Sequence, residues 1–282
     1  MDFLYLIFYG CLRLRFLDVE TNPGPCRPVP AVCRILCSNV RGLAGNLSEM
    51  TAASSQYDIL LCSETLVSDM HHQLEVLVPG FCLPILLCRG KMPLVRGMAA
   101  YVRDGYEAFR QSKFECGCSE MLVIRVCGVR QNLYVYSLYR NPDLHDRIFD
   151  CLLESMAAVQ AEDVRASFLF VGDLNGHHRE WLGSMTTNCH GVAAFDFATV
   201  SGYDQLAVGP THARGGTLDL LMTDVPDVVR VAVVSLIGNS SLSAVISMAQ
   251  AVPNLCVSRK VFLKHQVNWD ICLWCNTETA LA

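Results

Sequence analysis

Apolar runs of five to eight residues, each bounded by Gly, Asn, Asp or Pro, recur along the middle of the chain and predict buried strands rather than long helices. They fall at Val32–Asn39, Asp58–Ser63, Met98–Val102, Leu122–Val126, Leu133–Leu138, Phe168–Gly172, Thr217–Met222, Val228–Ser235 and Ala244–Met248. A slower period predicts helices over Leu47–Gln56, Asp146–Gln160 and Gly191–Val200. In the second of these, Ile148, Leu152, Ser155, Met156 and Val159 recur three and four apart, which gives the helix one face to bury. Many short strands with few helices favour an α/β arrangement of two packed sheets with helices outside over a single doubly wound sheet.

The pattern also divides the chain. Asp18–Pro25 (DVETNPGP) is dense in turn formers, and Pro28-Val29-Pro30 delays the first strand. A leader over 1–25, a domain over 26–252 and a tail over 253–282 follow. Ile271–Ala282 continues no domain pattern, as a truncated connection would. No apolar run reaches the roughly 18 residues of a membrane span. The Phe3–Cys11 run is short and carries its positive charge, Arg13 and Arg15, on the wrong side for a secretory signal. The expectation is a protein with no membrane partner, intracellular, in nucleus or cytoplasm.

Composition refines this picture in three ways. With 52% hydrophobic and 17% charged residues, the chain can bury a thick core. A net charge of −5 supplies no whole-molecule attraction to nucleic acid, which argues against a DNA-coating role. It leaves open an enzyme acting on phosphates, because a bound divalent cation supplies positive charge locally. The 15 cysteines are odd in number, sit largely inside apolar runs and form no paired CxxC arrangement, so they read as reduced thiols rather than zinc ligands.

The chemical signal lies where apolar runs end. RILCSN ends on Asn39, DILLCSE on Glu64, LYVYSLYRNP reaches Tyr139, and FLFVGDLN delivers Asp173 and Asn175. A buried strand carries its last residue rigidly to the rim of a sheet, and residues two apart face one side. Singly, each ending is ordinary turn chemistry; four of them in one chain are harder to explain that way. Phosphodiester cleavage needs charge neutralisation at phosphoryl oxygens, an oriented water and a donor for the leaving oxygen. Mg²⁺ takes one or two protein carboxylates and keeps several waters, a demand that Glu64 with Asn39 would meet. Asp173 and Asn175 would orient the nucleophile or stabilise the transition state, and Tyr139 would donate to a phosphate oxygen.

Together, NVRGL (Asn39–Leu43), DILLCSET (Asp58–Thr65), YRNP (Tyr139–Pro142), GDLNGHHREW (Gly172–Trp181) and THARGGTLDLLMTD (Thr211–Asp224) resemble the endonuclease/exonuclease/phosphatase family. They are most similar to its branch in non-LTR (LINE-type) retrotransposons. The resemblance runs from about Cys33 to Met248. It implies a four-layer sandwich of two mixed β-sheets flanked by helices, and a DNA endonuclease dependent on Mg²⁺, or Mn²⁺. By the same resemblance, Asn39 and Glu64 hold the metal, while Tyr139, Asp173 and Asn175 are catalytic. Arg140, Asn141, Thr211 and Asp219 shape the substrate side, the last two bracing a histidine. His177, His178 and Trp181 match the motif and read as structural. A reverse transcriptase module, the usual companion in such elements, is absent from this chain.

The chain departs from the family at one place. The family closes its domain with Ser-Asp-His before a final strand, and here Gly238–Val245 reads GNSSLSAV. The Asp and His are missing, as if Asp-His-Ser had been deleted after Ser240. The next histidine is His265, beyond the final strand. Losing a positioned general base costs about 10²–10⁴ in rate, so impaired hydrolysis is expected. The leader carries a second resemblance, since Asp18–Pro25 fits the D-x-E-x-N-P-G-P ending of 2A-like ribosome-skipping peptides. Two other readings remain: a non-catalytic nucleic-acid-binding or interaction module derived from such a domain, and a phosphatase-type or phospholipid-type esterase, against which the HHREW segment speaks.

Overall fold

The computed structural model describes residues 32–88, 96–117, 120–127, 131–142, 147–211, 217–234 and 244–250. The 1–25 leader, the 253–282 tail and the Ser240–Leu242 stretch lie outside the described residues.

Among the described residues strand propensity is realised in twelve strands, β1 Val32–Asn39, β2 Ile59–Ser63, β3 Ile85–Leu87, β4 Met98–Val102, β5 Ala108–Arg110, β6 Glu120–Val126, β7 Leu133–Tyr139, β8 Ser167–Asp173, β9 Asp204–Gln205, β10 Asp219–Thr223, β11 Val229–Val234 and β12 Ala244–Gln250. They form two six-stranded sheets, ordered β11-β12-β1-β2-β4-β3 and β5-β6-β7-β8-β10-β9. Each sheet is mixed: β1 and β2 are parallel, as are β7 and β8, and the other named pairs are antiparallel. The helices are α1 Leu43–Ser54, α2 Ile148–Glu162, α3 Arg179–Leu182 and α4 Cys189–Ser201.

Alternation along the strands sorts side chains into three apolar layers. Ile35, Cys37, Ile59 and Leu61 of the first sheet meet Leu122, Ile124, Val135, Leu169, Val171 and Leu221 of the second in one buried cluster between the sheets. The opposite parity, Leu36, Leu60 and Cys62, packs outward with Leu43 and Met50 of α1. On the far side, Tyr134, Tyr136, Phe168 and Phe170 pack with Leu152 and Met156 of α2 and with Ala194 and Phe197 of α4. The result is a four-layer sandwich, helix, sheet, sheet, helix, as expected from the sequence.

The long strands lie within one or two residues of their predicted limits. Helix α1 starts four residues early: Asn46 reaches back to donate Nδ2–H bonds to the Val40 and Gly42 carbonyls, at 2.8 and 3.0 Å, and so organises a Gly-flanked first turn. The two- and three-residue strands β3, β5 and β9 are too short to show a period. Helix α3 is capped by His178, whose Nδ1 accepts the Trp181 N–H at 3.1 Å, and the His178 ring stacks on Phe195. His178 of the HHREW segment thus caps a helix and packs against a ring.

Gly172, one residue before Asp173, sits at φ 149°, and a Cβ there would lie 1.8 Å from the Leu138 carbonyl oxygen of the neighbouring strand. Gly172→Ala is expected to cost roughly 3 kcal/mol or more, because rigid backbone must move. Gly183→Ala, also at positive φ (62°) but with open space around it, should cost only about 1 kcal/mol. Urea unfolding of both variants checks this, and equal losses would contradict it.

Candidate active site

The inward parity continues past the last apolar residues. On β1 the series Cys33, Ile35, Cys37 runs on to Asn39, on β7 Leu133 and Val135 run on to Tyr139, and on β8 Leu169 and Val171 run on to Asp173. The antiparallel neighbours enter at the same end, β10 with Asp219 opposite Asp173 and β6 with Glu120 opposite Tyr139. Side-chain period 2 thus caps the inter-sheet core with polar groups. Glu64 is the exception: Ser63 takes the inward place, and Glu64 joins the cap through a backbone bend at φ 51°.

These groups bond to one another. Asn39 Nδ2 donates to Glu64 Oε1 at 2.7 Å and to Asp173 Oδ2 at 3.3 Å, and Tyr139 donates its hydroxyl to Glu64 Oε1 at 3.1 Å. The Asn175 N–H donates to Asp173 Oδ1 at 3.1 Å, while Asn175 Nδ2 donates to the Arg140 carbonyl at 2.8 Å. Asn39, Glu64, Tyr139, Asn141, Asp173 and Asn175 all line one cleft of about 220 Å³, with Arg41, Arg96 and Leu218 on its wall. A larger, more apolar cavity of about 630 Å³, between Trp181, Met185, Val208 and Thr217, contains none of the titratable groups.

The remaining expected residues stand behind the cleft. Thr211, fully buried, accepts the Leu218 and Asp219 N–H groups on Oγ1 at 2.9 and 3.0 Å and so pins the start of β10. Asp219 is buried, and its Oδ2 has no hydrogen-bond partner among the described residues. Arg140 follows the outward parity of β7, so its guanidinium is buried on the helix side, with Nη2 2.8 Å from His190 Nε2 of α4. Its backbone carbonyl, not its charge, faces the site. Sequence reading missed Glu120, Arg41 and Arg96. Glu120 carried a signal, since it precedes Leu122, Ile124 and Val126 in the same parity.

The donor set can be tested against a metal. Glu64, Asp173 and the Asn39 amide offer only oxygen ligands, which suits a hard cation that keeps several waters. Asn39 Oδ1 accepts a long 3.3 Å contact from the Arg41 N–H. Among the described residues no three His, Cys, Asp or Glu side chains form a ready-made metal cluster, and Mg²⁺ or Mn²⁺ needs none. The residues fit the group.

Crowding carboxylates in a dry layer has a cost. Burial pushes the Asp173 carboxyl up to about 6; the Asn39 amide and the Asn175 N–H pull it partly back, and the charge on Glu64 pushes it further. Asp219 lies well above the ordinary carboxylate range, through burial first and then repulsion from Asp173. Tyr139 is raised by burial and by Glu64, which keeps its phenol protonated as a donor. Because both aspartates titrate higher folded than unfolded, the unfolded chain ionises first as pH rises. Their contribution to stability is whole below about pH 4 and is lost as pH climbs through about 6 and beyond. In metal-free buffer, Asp219→Asn should match the wild-type melting temperature near about pH 4 and exceed it by several degrees near about pH 8. A gap equal at both pH values would contradict this account.

Comparisons with known proteins agree with this fold. The endonuclease domain of TRAS1, a telomere-specific non-LTR retrotransposon, is 19% identical, with 78% of this chain and 98% of that one covered at a TM-score of 0.58. The AP endonuclease LMAP from Leishmania major is 13% identical over 79% and 89% of the two chains, with a TM-score of 0.63. TDP2 from D. rerio, solved with a single-strand DNA product, is 11% identical over 78% and 99%, with a TM-score of 0.54. At these identities the likeness establishes the fold alone. A comparison with curated proteins gives no match. The profile described as the Endonuclease/Exonuclease/phosphatase family matches residues 36–243, most of the chain, and the chain therefore belongs to the endonuclease/exonuclease/phosphatase family.

Proposed function

We propose that this chain is a divalent-metal-dependent DNA phosphodiesterase domain of the non-LTR retrotransposon endonuclease type, weakened by loss of its general base. The observation that carries the reading is the convergence of Asn39, Glu64, Tyr139, Asp173 and Asn175 on one cleft at a single end of the sandwich. The TRAS1 endonuclease domain and the DNA-bound TDP2 among the structural neighbours support the substrate class.

Glu64 and Asn39 would hold Mg²⁺ or Mn²⁺, which when bound supplies positive charge to the phosphoryl oxygens. Tyr139, kept protonated, presents its O–H at the cleft, where it would donate to a phosphate oxygen as readily as to Glu64 Oε1. Asp173 is fixed through both oxygens, by the Asn39 amide and the Asn175 N–H, and would orient an attacking water. Asn175 is itself tied to the Arg140 carbonyl, so the Asp-x-Asn turn is rigid. Asn141 and Leu218 line the same cleft, where they would meet the substrate.

Among the described residues that line the cleft, no histidine is present to take the proton from that water. By the family resemblance Asp219 braces a histidine, and the sequence from Ser240 to Leu242 supplies none. The unpartnered Oδ2 of Asp219 supports this reading, since it is an acceptor left without its donor among the described residues. The same observation favours a second reading, a module that binds DNA without cutting it.

One assay separates the two. Nicking of supercoiled plasmid in Mg²⁺ should be reduced by about 10² or more in this chain relative to one with Asp-His-Ser inserted after Ser240. Adding Asp173→Ala to the repaired chain should abolish nicking again. DNA binding without nicking in the repaired chain supports the binding module. Vigorous nicking by the unrepaired chain, lost in Asp173→Ala, would show that another residue serves as base.

The leader has its own test. We propose that Asp18–Pro25 causes ribosome skipping between Gly24 and Pro25, on the full match to the 2A-like pattern. Translation in a eukaryotic extract should give two products, and Pro25→Ala should give one. A single full-length product from the unaltered chain would contradict the proposal.

A further inference from the structure

The metal ligand Glu64 depends on a backbone that its own sequence does not favour. Four non-glycine residues among those described have positive φ: Arg41 (44°), Glu64 (51°), Leu66 (57°) and Asn175 (49°). All but Leu66 line the cleft, and Leu66 lies two residues beyond Glu64. Left-handed conformations of branched or long side chains persist only where surrounding bonds over-determine them.

Those bonds can be followed outward from Glu64. On one side its carbonyl accepts the Gly42 N–H at 2.7 Å, and the Thr65 carbonyl accepts the Leu43 N–H at 2.9 Å, which ties the bend to the start of α1. On the other side the Thr65 N–H donates to the Gly97 carbonyl at 3.1 Å and the Leu66 N–H to the Arg96 carbonyl at 2.8 Å. The bend therefore rests on a two-residue ledge, Arg96-Gly97, that leads into β4. Among the described residues, β3 pairs with β4 only as far as Leu87 opposite Met98, short of the ledge. The ledge's two N–H groups point across the gap between the sheets to a single carboxylate, that of Glu120. Arg96 N donates to Oε1 at 3.0 Å and Gly97 N to Oε2 at 2.7 Å.

Glu120 belongs to the second sheet, is 6% exposed, and stands opposite Tyr139 in the β6–β7 register. It spends both oxygens on backbone N–H groups of the first sheet. A buried carboxylate in an apolar layer is costly unless such donors satisfy it, and the ledge's amides would in turn be orphaned without it. Each half thus requires the other.

We propose that Glu120 is a positioning residue for the metal site: by clamping Arg96-Gly97 across the two sheets, it holds Glu64 in its left-handed conformation and so sets the affinity for the divalent cation. This rests on the reading of Glu64 and Asn39 as the metal pair. Glu120 itself does not line the cleft and would not touch the cation. It acts through the ledge, as an outer residue that orients a ligand.

The test is titration of the full chain with Mn²⁺, reading the free ion by its electron paramagnetic resonance, for wild type, Glu64→Ala, Glu120→Ala and Glu120→Gln. Wild type should bind one ion at the site and Glu64→Ala should lose it. Glu120→Ala should weaken binding by about tenfold or more, the effect expected when the support of a ligand is removed. Glu120→Gln keeps the shape and one carbonyl acceptor but sets an amide N–H against the other backbone donor, and its affinity should fall between the two. It carries the measurement should Glu120→Ala fail to fold. Thermal melts of the metal-free variants separate fold from site, because a merely structural role would lower the melt and leave Mn²⁺ affinity unchanged. Wild-type affinity in the folded Glu120 variants, with Glu64→Ala still deficient, would overturn the role of Glu120 alone. Failure of wild type itself to bind Mn²⁺, or binding unchanged in Glu64→Ala, would overturn the metal reading beneath it.

Discussion

Face-to-face packing of two sheets through one dry layer is the constraint on which everything else depends. Once Ile35, Ile59, Leu61, Ile124, Val135, Leu169 and Val171 are committed to that layer, period 2 dictates which residues come next on the same face. At one end of the sandwich those residues are Asn39, Glu120, Tyr139, Asp173 and Asp219, delivered by five different strands. No loop has to fold precisely for them to meet. The register of β7 with β8 and of β8 with β10 already sets Tyr139 beside Asp173 and Asp173 opposite Asp219. A site built on strand ends inherits the rigidity of the core, which is what an in-line displacement at phosphorus demands.

Such a cap is electrostatically uncomfortable. Glu64, Glu120, Asp173 and Asp219 are drawn to one edge of a low-dielectric layer, and the only cationic groups on the cleft wall are Arg41 and Arg96 among the described residues. The structure answers in two ways. Backbone and amide donors satisfy individual oxygens, as the Asn39 amide does for Glu64 and Asp173, and burial raises the Asp219 carboxyl well above the ordinary carboxylate range. What remains is a surplus of oxygen ligands facing a cleft, the condition under which a hard divalent cation is welcome. Strain is stored in the same place: Gly172 admits the close approach of Leu138 one residue before Asp173, and Arg41, Glu64 and Asn175 hold left-handed backbone around the cleft.

Much of this was legible in the amino-acid sequence, for a physical reason. Asn39, Tyr139 and Asp173 each terminate an apolar run, and a polar residue there breaks a pattern the eye can follow. The layer order was legible too, because alternating strands with few helices leave little choice. What escaped obeys different rules. Glu120 opens a run instead of closing one, and it enters the site only because β6 is antiparallel to β7, a pairing that local pattern does not disclose. Positive φ at Glu64 and Leu66 has no mark in a non-glycine residue; it follows from hydrogen bonds to Arg96-Gly97, thirty residues away in the chain. Arg140 reads as a substrate-side residue beside Tyr139, and strand alternation sends its side chain toward the helix layer, where it meets His190. Helix α1 hid its start behind two glycines.

The central proposal is that strand alternation, which delivers Asn39, and the left-handed bend that brings in Glu64 together assemble an oxygen-ligand site for one divalent cation. Anomalous scattering from crystals of the full chain grown with Mn²⁺ tests it most directly. The account predicts a single strong peak at ligand distance, about 2.0–2.2 Å, from a Glu64 carboxylate oxygen and the Asn39 amide oxygen. A peak bound elsewhere, or a cleft without a peak at saturating Mn²⁺, would contradict it.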